Sequence, residues 1–468
     1  MFIGRKDELA TMERLYSSDK FEFLVLYGQR RIGKTTLINQ FAKDKSVIFF
    51  TAKETNDSMN LRAFTKIVMA HFKQSFPESF AFESWEEAFM WLAEISEDQK
   101  TVLIIDEYPY AATANKALNS ILQIIIDHHF LQSKIKLILS GSHVSFMEKE
   151  VLGYKSPLYG RKTSQIQLKP FDYSDAAQMV PGYSDEDKIR FYSVLGGVPY
   201  YLSLVDHTRS FEENLKELFF TSDGRLYQES DFLMREEFDQ PAKYNAIIQA
   251  VAQGANRPSM ISNITKIETS ALPYYLTTLV EIGFLKKRIP FGEDPLRSRK
   301  GIYEIADNTF RFYYEYVYPN ETAIERGFGD IVAEDTVLPV LNQFIGQTVF
   351  ETVCEQYLVR AIRARKLDLL PTEIGRWWGN DAQAKQQADI DIVLGNKEQV
   401  LLAECKWRNE FDEIKEIKKL LDKRRLLPNY SAYQYYFFAK KDYGEKTKQF
   451  AVQYPELTLV TLVDLFNG

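Results

Sequence analysis

The string Gly28-Gln29-Arg30-Arg31-Ile32-Gly33-Lys34-Thr35 constrains this chain more than any other stretch of it. It follows Phe23-Leu24-Val25-Leu26-Tyr27, an apolar run of strand type, and precedes Thr36-Leu37-Ile38-Asn39-Gln40-Phe41, whose apolar positions have helical spacing. Every fixed position of the G-x-x-x-x-G-K-[ST] phosphate loop is present, in the strand-loop-helix setting that the motif requires. Gly28 and Gly33 let the main chain turn its N–H groups toward phosphate oxygens, while the following helix presents the positive end of its dipole. Lys34 is placed to neutralise the β and γ phosphates, and the Thr35 hydroxyl to coordinate Mg²⁺. Residues 28–36 are therefore expected to bind ATP with Mg²⁺. Arg30 and Arg31 lie inside the loop, where the main chain does the binding, and neither is read as catalytic.

Apolar runs at 47–51, 101–105 and 135–139 alternate with helical patterns such as 60–75 and 113–128. Strands apolar on both faces and separated by helices predict an α/β domain with a parallel sheet covered on two sides. The run at 101–105 ends in Asp106-Glu107 at the carboxyl edge of that sheet, where open α/β sheets bind their ligands. Asp106 is expected in the Mg²⁺ shell, and Glu107 is expected to orient and polarise the attacking water. Arg161, in Pro-Leu-Tyr-Gly-Arg, has two readings: a cation for the transferring phosphate, in cis or across a subunit contact, or a structural salt bridge.

At 468 residues the chain has room for about three domains. Residues 1–235 read as the sheet domain with a helical lid that carries Gly196-Gly197-Val198-Pro199. Residues 236–330 read as three helices and a hairpin, the order of a winged helix-turn-helix. The hairpin carries Lys286, Lys287, Arg288, Arg297, Arg299 and Lys300 against Glu293 and Asp294, a basic wing suited to DNA phosphates. Leu272, Leu276, Leu279 and Ile282 must face a core, so the same module also fits plain packing or protein docking. The net charge of −7 argues against coating nucleic acid with the whole surface. Two cysteines exclude a disulfide framework and a cysteine-rich zinc module. The N-terminus enters charged sequence at once and no apolar run reaches the ~18 residues of a bilayer span, so a cytoplasmic setting without membrane is expected.

Residues 335–468 read as a second, smaller α/β unit. Asp391 lies on one strand of a predicted hairpin, and Glu404 and Lys406 lie on the other, where alternation puts both on one face. Two carboxylates and a lysine at that spacing can hold a divalent ion and activate water for phosphodiester attack, with Glu351 on the preceding helix as a third acid. Trp377 and Trp378 are read as sheet packing or base stacking. Lys418, Lys419, Lys423, Arg424 and Arg425 are read as a backbone-tracking or a solvated helix face.

The segments Phe2-Ile3-Gly4-Arg5 with Glu8-Leu9, GQRRIGKTTL at 28–37, LIIDEYPY at 103–110, LILSGSHVSFM at 137–147, PLYGR at 157–161, LKPF at 168–171 and GGVPYYL at 196–202 resemble the archaeal-type AAA ATPases, relatives of the STAND NTPases. That resemblance implies that the segment with Gly4 and Arg5 borders the adenine. It also implies that Ser140 or Ser142 takes the sensor position by the γ phosphate, and that Pro199 belongs to the lid near the base. Residues 335–468 resemble the PD-(D/E)XK nuclease superfamily, with Asp391, Glu404 and Lys406 on its fixed positions and Glu351 on its helical acid. The function implied is an ATP-hydrolysing switch or motor acting on DNA. The alternatives are a signalling scaffold that binds a protein partner or a second copy, and a metal-dependent endonuclease gated by ATP.

Overall fold

The computed structural model describes residues 2–73, 80–97, 99–238 and 240–467, in two compact units, Met1–Pro170 and Phe171–Gly468. The helices of 171–235 thus group with the second unit, ahead of the boundary at 235 that the sequence suggests.

Strand β1 (Glu22–Tyr27), β2 (Val47–Thr51), β3 (Val102–Asp106), β4 (Lys136–Gly141) and β5 (Ser164–Gln167) form one parallel sheet in the order β2-β3-β4-β1-β5. Successive side chains of a strand point to opposite faces, and here each face has its own core. Phe23, Val25 and Tyr27 pack with Leu103, Ile105, Leu137 and Leu139 under the helices Asp57–His71, Trp85–Ile95 and Leu118–His128. Leu24 and Leu26 pack with Ile104 and Ile138 under the helices Lys6–Ser17 and Lys34–Ala42. Burial on both faces is why these strands read as unbroken apolar runs. The helix expected over 60–75 occupies Asp57–His71, and residues 74 and 75 lie outside the described residues. β5 gives no such signal, because in Ser-Gln-Ile-Gln at the sheet edge only Ile166 is buried.

In the second unit, helices Pro241–Ala252, Pro258–Thr265 and Leu272–Ile282 precede an antiparallel hairpin, β6 (Leu285–Arg288) with β7 (Ile302–Ile305). Leu272, Leu276, Leu279 and Ile282 are all buried, as their spacing requires. The helical run that ends near 363 is divided near Pro339, where no amide donor is available, and its regular part is Phe350–Arg363. A second sheet follows in the order β12-β11-β10-β9-β8, from β8 (Glu373–Asp381), β9 (Gln386–Gly395), β10 (Gln399–Lys406), β11 (Ala432–Ala439) and β12 (Leu457–Thr461). β8, β9 and β10 pair antiparallel, while β10, β11 and β12 pair parallel. The helix Glu413–Asp422 makes the crossover and buries Ile417 and Leu420. Among the described residues no helix is long and apolar enough to cross a membrane.

The loop joining β6 to β7 does not stand clear of this sheet. Phe291 is 3% exposed and packs with Ile390, Val393, Val400 and Leu402, while its N–H donates to the Arg376 carbonyl at 2.8 Å. The Gly292 N–H donates to Glu373 Oε1 at 2.8 Å. Four of the six basic residues of the hairpin are also engaged: Lys286 and Arg288 on Glu304 at 3.6 and 2.8 Å, Arg297 on Asp294 at 3.6 Å, and Lys300 on Glu293 at 2.6 Å. Removing a buried aromatic ring costs about 3–5 kcal/mol. Phe291→Ala is therefore expected to lower the unfolding free energy of the second unit by that amount, read as a lower urea midpoint. Leu296→Ala, on the same loop but 96% exposed, should stay within about 0.5 kcal/mol of the parent. Equal midpoints for the two variants would remove Phe291 from the core.

Candidate functional site

The chain leaves β1 at Tyr27 and is pinned there, because the Leu168 N–H just beyond β5 donates to the Tyr27 carbonyl at 2.7 Å. A Cβ on Gly28 would lie 2.4 Å from the Leu168 carbonyl oxygen, so only glycine fits at this first loop position. The loop then turns through Arg31 at φ 66° and Gly33 at φ 90°, the left-handed conformations that direct successive amides into a concavity for anions. Ile32 is buried and anchors the loop from below. Lys34, only 6% exposed, donates through Nζ to the Gly28 and Gln29 carbonyls at 2.9 and 3.0 Å. The loop thus holds its own ammonium. Thr36, next to Thr35 on the first turn of the helix, is exposed.

β4 lies between β1 and β3, and contacts at the carboxyl edge reach across it. Thr35 Oγ1 donates to Asp106 Oδ2 at 3.3 Å, joining the first turn of the phosphate-loop helix to the end of β3. Asp106 is 4% exposed, and its Oδ1 has no hydrogen-bond partner among the described residues. Glu107 follows at φ 49°, and its carboxylate accepts from Ser142 Oγ at 2.7 and 2.6 Å and from the Ser142 N–H at 3.2 Å. Ser140, at the end of β4, is buried with an unpaired Oγ among the described residues. Of the two serines expected at the sensor position, Ser142 therefore touches Glu107, while Ser140 presents an unpaired hydroxyl. Gly4 and Arg5 precede the first helix, and Arg5 Nη2 donates to the Ile32 carbonyl at 3.1 Å, tying the N-terminal segment to the loop. Pro199 opens the short helix Pro199–Leu202 in the second unit.

A model described as an ATPase domain predominantly from Archaea matches residues 2–205, and one described as Archaea bacterial proteins of unknown function matches residues 313–417. An uncharacterized protein of Methanocaldococcus jannaschii is 33% identical over 438 residues, covering 93% of this chain and 94% of that one. The chain belongs to this archaeal-type ATPase family. An uncharacterized ATP-binding protein of the same organism is 45% identical over 47 residues, covering 10% of this chain and 80% of that protein. A solved Walker-type ATPase of Pyrococcus abyssi superposes with a TM-score of 0.51 at 21% identity, over 67% of this chain and 96% of that one, which is a likeness of fold. The parallel five-stranded sheet matches a P-loop NTPase, and the protein is an ATPase.

In this archaeal-type ATPase the second sheet brings Asp391, Glu404, Lys406 and Glu351 together. Asp391 stands beside Glu404 across the β9–β10 pairing and accepts from the Cys405 N–H at 2.9 Å. Burial and then the Glu404 charge push the Asp391 carboxyl up, and burial and then Asp391 do the same to Glu351. Burial works against the Lys406 ammonium, but Glu404 beside it raises its pKa overall. Two lysines occupy Glu404, Lys406 on Oε1 and Lys423 on Oε2 at 2.6 Å. Arg376 holds Glu351 at 3.6 Å and Asp389 at 2.6 Å. Asp391 and Glu404 are thus not arranged as a ready metal pair, and no three His, Cys, Asp or Glu side chains among the described residues gather to hold an ion. Beside them opens a cavity of about 620 Å³, lined by Glu351, Arg376, Asp391, Lys406, Trp407 and Asn409 among others.

Lys423, from the basic run of the sequence, turns onto Glu404; Lys419 pairs with Glu416, and Arg425 with Asp381 and Asp422. Trp377 packs against the core of this sheet, the packing role among the two expected for it.

Of the two readings of Arg161, the structure shows the salt bridge. Its guanidinium grips Asp127, Nε on Oδ1 at 2.8 Å and Nη2 on Oδ2 at 2.6 Å, and Nη1 donates to the Pro157 carbonyl at 2.8 Å. Thr163, two residues on, pairs with Phe23 near the start of β1, whereas Gly28 follows its end. About 17 Å of strand separates the two, so Arg161 cannot serve its own phosphate loop. Arg161→Ala should cost about 1 kcal/mol of stability and leave turnover per folded subunit within two-fold. A hundred-fold loss of turnover would mean that Arg161 reaches the site of a neighbouring copy.

Proposed function

We propose that this ATPase is a nucleotide-driven switch whose working site is the phosphate loop with Asp106 and Glu107. The observation that carries this reading is the link from Thr35 to Asp106 across β4, with Glu107 the next residue and its carboxylate held at the end of the same strand. Main-chain amides of residues 28–36 and the Lys34 ammonium bind the phosphates. Magnesium fits the Thr35 hydroxyl and the unpaired Oδ1 of Asp106, and when bound it offsets charge on the phosphate oxygens. Glu107 orients a water and accepts its proton as the oxygen bonds to the γ phosphorus. The bond to the bridging oxygen breaks, and its electron pair leaves with ADP. Ser140 stands at the sensor position beside the γ phosphate, Gly4 and Arg5 border the base, and Pro199 is the lid residue. Binding free energy that differs between the ATP and ADP states is what moves the second unit, here divided into a lid, a winged helix over 236–330 and a nuclease-like module over 335–468.

Lys34→Ala should lose nucleotide affinity by at least about a hundred-fold in titration calorimetry, because it removes the one ammonium inside the loop. Glu107→Gln should bind ATP as the parent does and turn it over about a hundred-fold more slowly. Undiminished turnover in Glu107→Gln would move the water-orienting role elsewhere.

The second unit supports a narrower version of action on DNA. Phe291 in the sheet core and the pairing of four of the six hairpin cations favour docking within the chain over phosphate contact by the wing. The capping of Glu404 by Lys406 and Lys423 favours a nuclease-like module that binds phosphodiesters and does not cut them. Binding to duplex or single strands should then weaken steeply with salt, since phosphate contacts release counterions. Plasmid DNA should stay intact in Mg²⁺ or Mn²⁺. Cleavage that disappears in Glu404→Ala or Lys406→Ala would establish a nuclease, and salt-independent capture of a protein would favour a scaffold.

A further inference from the structure

A carboxylate that takes a proton from water needs one oxygen facing that water and a carboxyl plane that does not swing. At Glu107 a single residue supplies the restraint. Ser142 lies just past the end of β4, on the strand that neighbours β3, and is 2% exposed. It brings two donors to the same carboxylate. Its N–H reaches Oε2 at 3.2 Å, and its Oγ lies 2.6 Å from Oε2 and 2.7 Å from Oε1. A hydroxyl carries one proton, so it donates to only one of these oxygens at a time. Donation to Oε2 puts both donors on one oxygen and leaves Oε1 with its lone pairs.

The main chain around the pair gives neither residue room to drift. Glu107 is left-handed at φ 49°, and its carbonyl accepts from the Tyr110 N–H at 3.0 Å, within the helix Tyr108–Ala114. Gly141, the last residue of β4, is enclosed: an added Cβ would meet Met147 Sδ at 2.7 Å and Pro109 Cδ at 2.9 Å. Pro109 belongs to the helix that follows Glu107, so the ends of β3 and β4 press together where the contact forms. Glu107 itself is only half-buried.

We propose that Ser142 is the positioning residue of the base: its N–H and hydroxyl together fix Oε2 of Glu107, and Oε1 is the atom that accepts the proton of the attacking water. This rests on the phosphate-loop and Glu107 assignment above. As the water oxygen bonds to the γ phosphorus, its proton passes to Oε1. The bond from phosphorus to the bridging oxygen breaks, and that electron pair leaves with ADP. Ser142 keeps its own proton throughout and touches no reacting atom. Misplacement of a reacting group by about 1 Å costs on the order of a hundred-fold in rate, which sets the scale of what the restraint supplies.

Full-length parent, Ser142→Ala, Ser142→Thr, Glu107→Gln and the Ser142→Ala, Glu107→Gln double variant are compared for kcat, KM for ATP, ADP affinity and urea midpoint. Ser142→Ala should lose at least about ten-fold in kcat with KM and ADP affinity within about three-fold, because the hydroxyl acts on the base and not on the nucleotide. Ser142→Thr keeps the hydroxyl and should recover to within about five-fold of the parent. In the Glu107→Gln background the loss from Ser142→Ala should shrink below about two-fold, since the group it positions is gone. A smaller loss in Ser142→Ala, or a gain, overturns the proposal, as does a loss carried by KM or ADP affinity. A loss undiminished in the double variant overturns it as well, even where the urea midpoint shows that Ser142→Thr does not fold. Absence of hydrolysis by the parent, or undiminished turnover in Glu107→Gln, would instead sink the site assignment, and both are read on proteins that retain Ser142.

Discussion

Parallel strands buried on both faces leave only their ends for chemistry, and that constraint organises the first unit. Phe23, Val25 and Tyr27 are committed to one core and Leu24 and Leu26 to the other, so β1 has no side chain to spare until Gly28. The same holds for β3 up to Asp106. Polar function therefore concentrates in the few residues beyond each strand. Register decides which of them meet: because β4 separates β1 from β3, long or well-placed side chains must bridge it, and Thr35 and Arg30 do so.

The strong local signals in the sequence were the ones that need no partner to be read. Glycine spacing around Lys34 and the apolar runs ending at Tyr27 and Asp106 follow from backbone geometry and two-sided burial, and both can be read from consecutive residues. What was not legible depends on distant pairing. β5 is a four-residue edge strand with one buried side chain. β8 carries Gly375 and Gly379 and polar residues at the rim of the second sheet, so neither periodicity nor composition marks it as a strand. Phe291 sits in a loop of charges, and only the fold reveals that it completes a core. Arg161 leaves two readings open in the sequence because a lone arginine after a glycine carries no sign of its partner, and Asp127 is far upstream.

The acidic pocket of the second sheet illustrates how a legible pattern can mislead about state. Alternation along β10 places Glu404 and Lys406 on one face whatever else happens. Alternation says nothing of what arrives from other elements. Lys423, from just beyond the helix Glu413–Asp422, and Arg376, from β8, insert charge among the acids, and burial raises the cost of leaving any of them unpaired. Carboxylates that face ammonium and guanidinium groups at such short range are held as acceptors by their own chain.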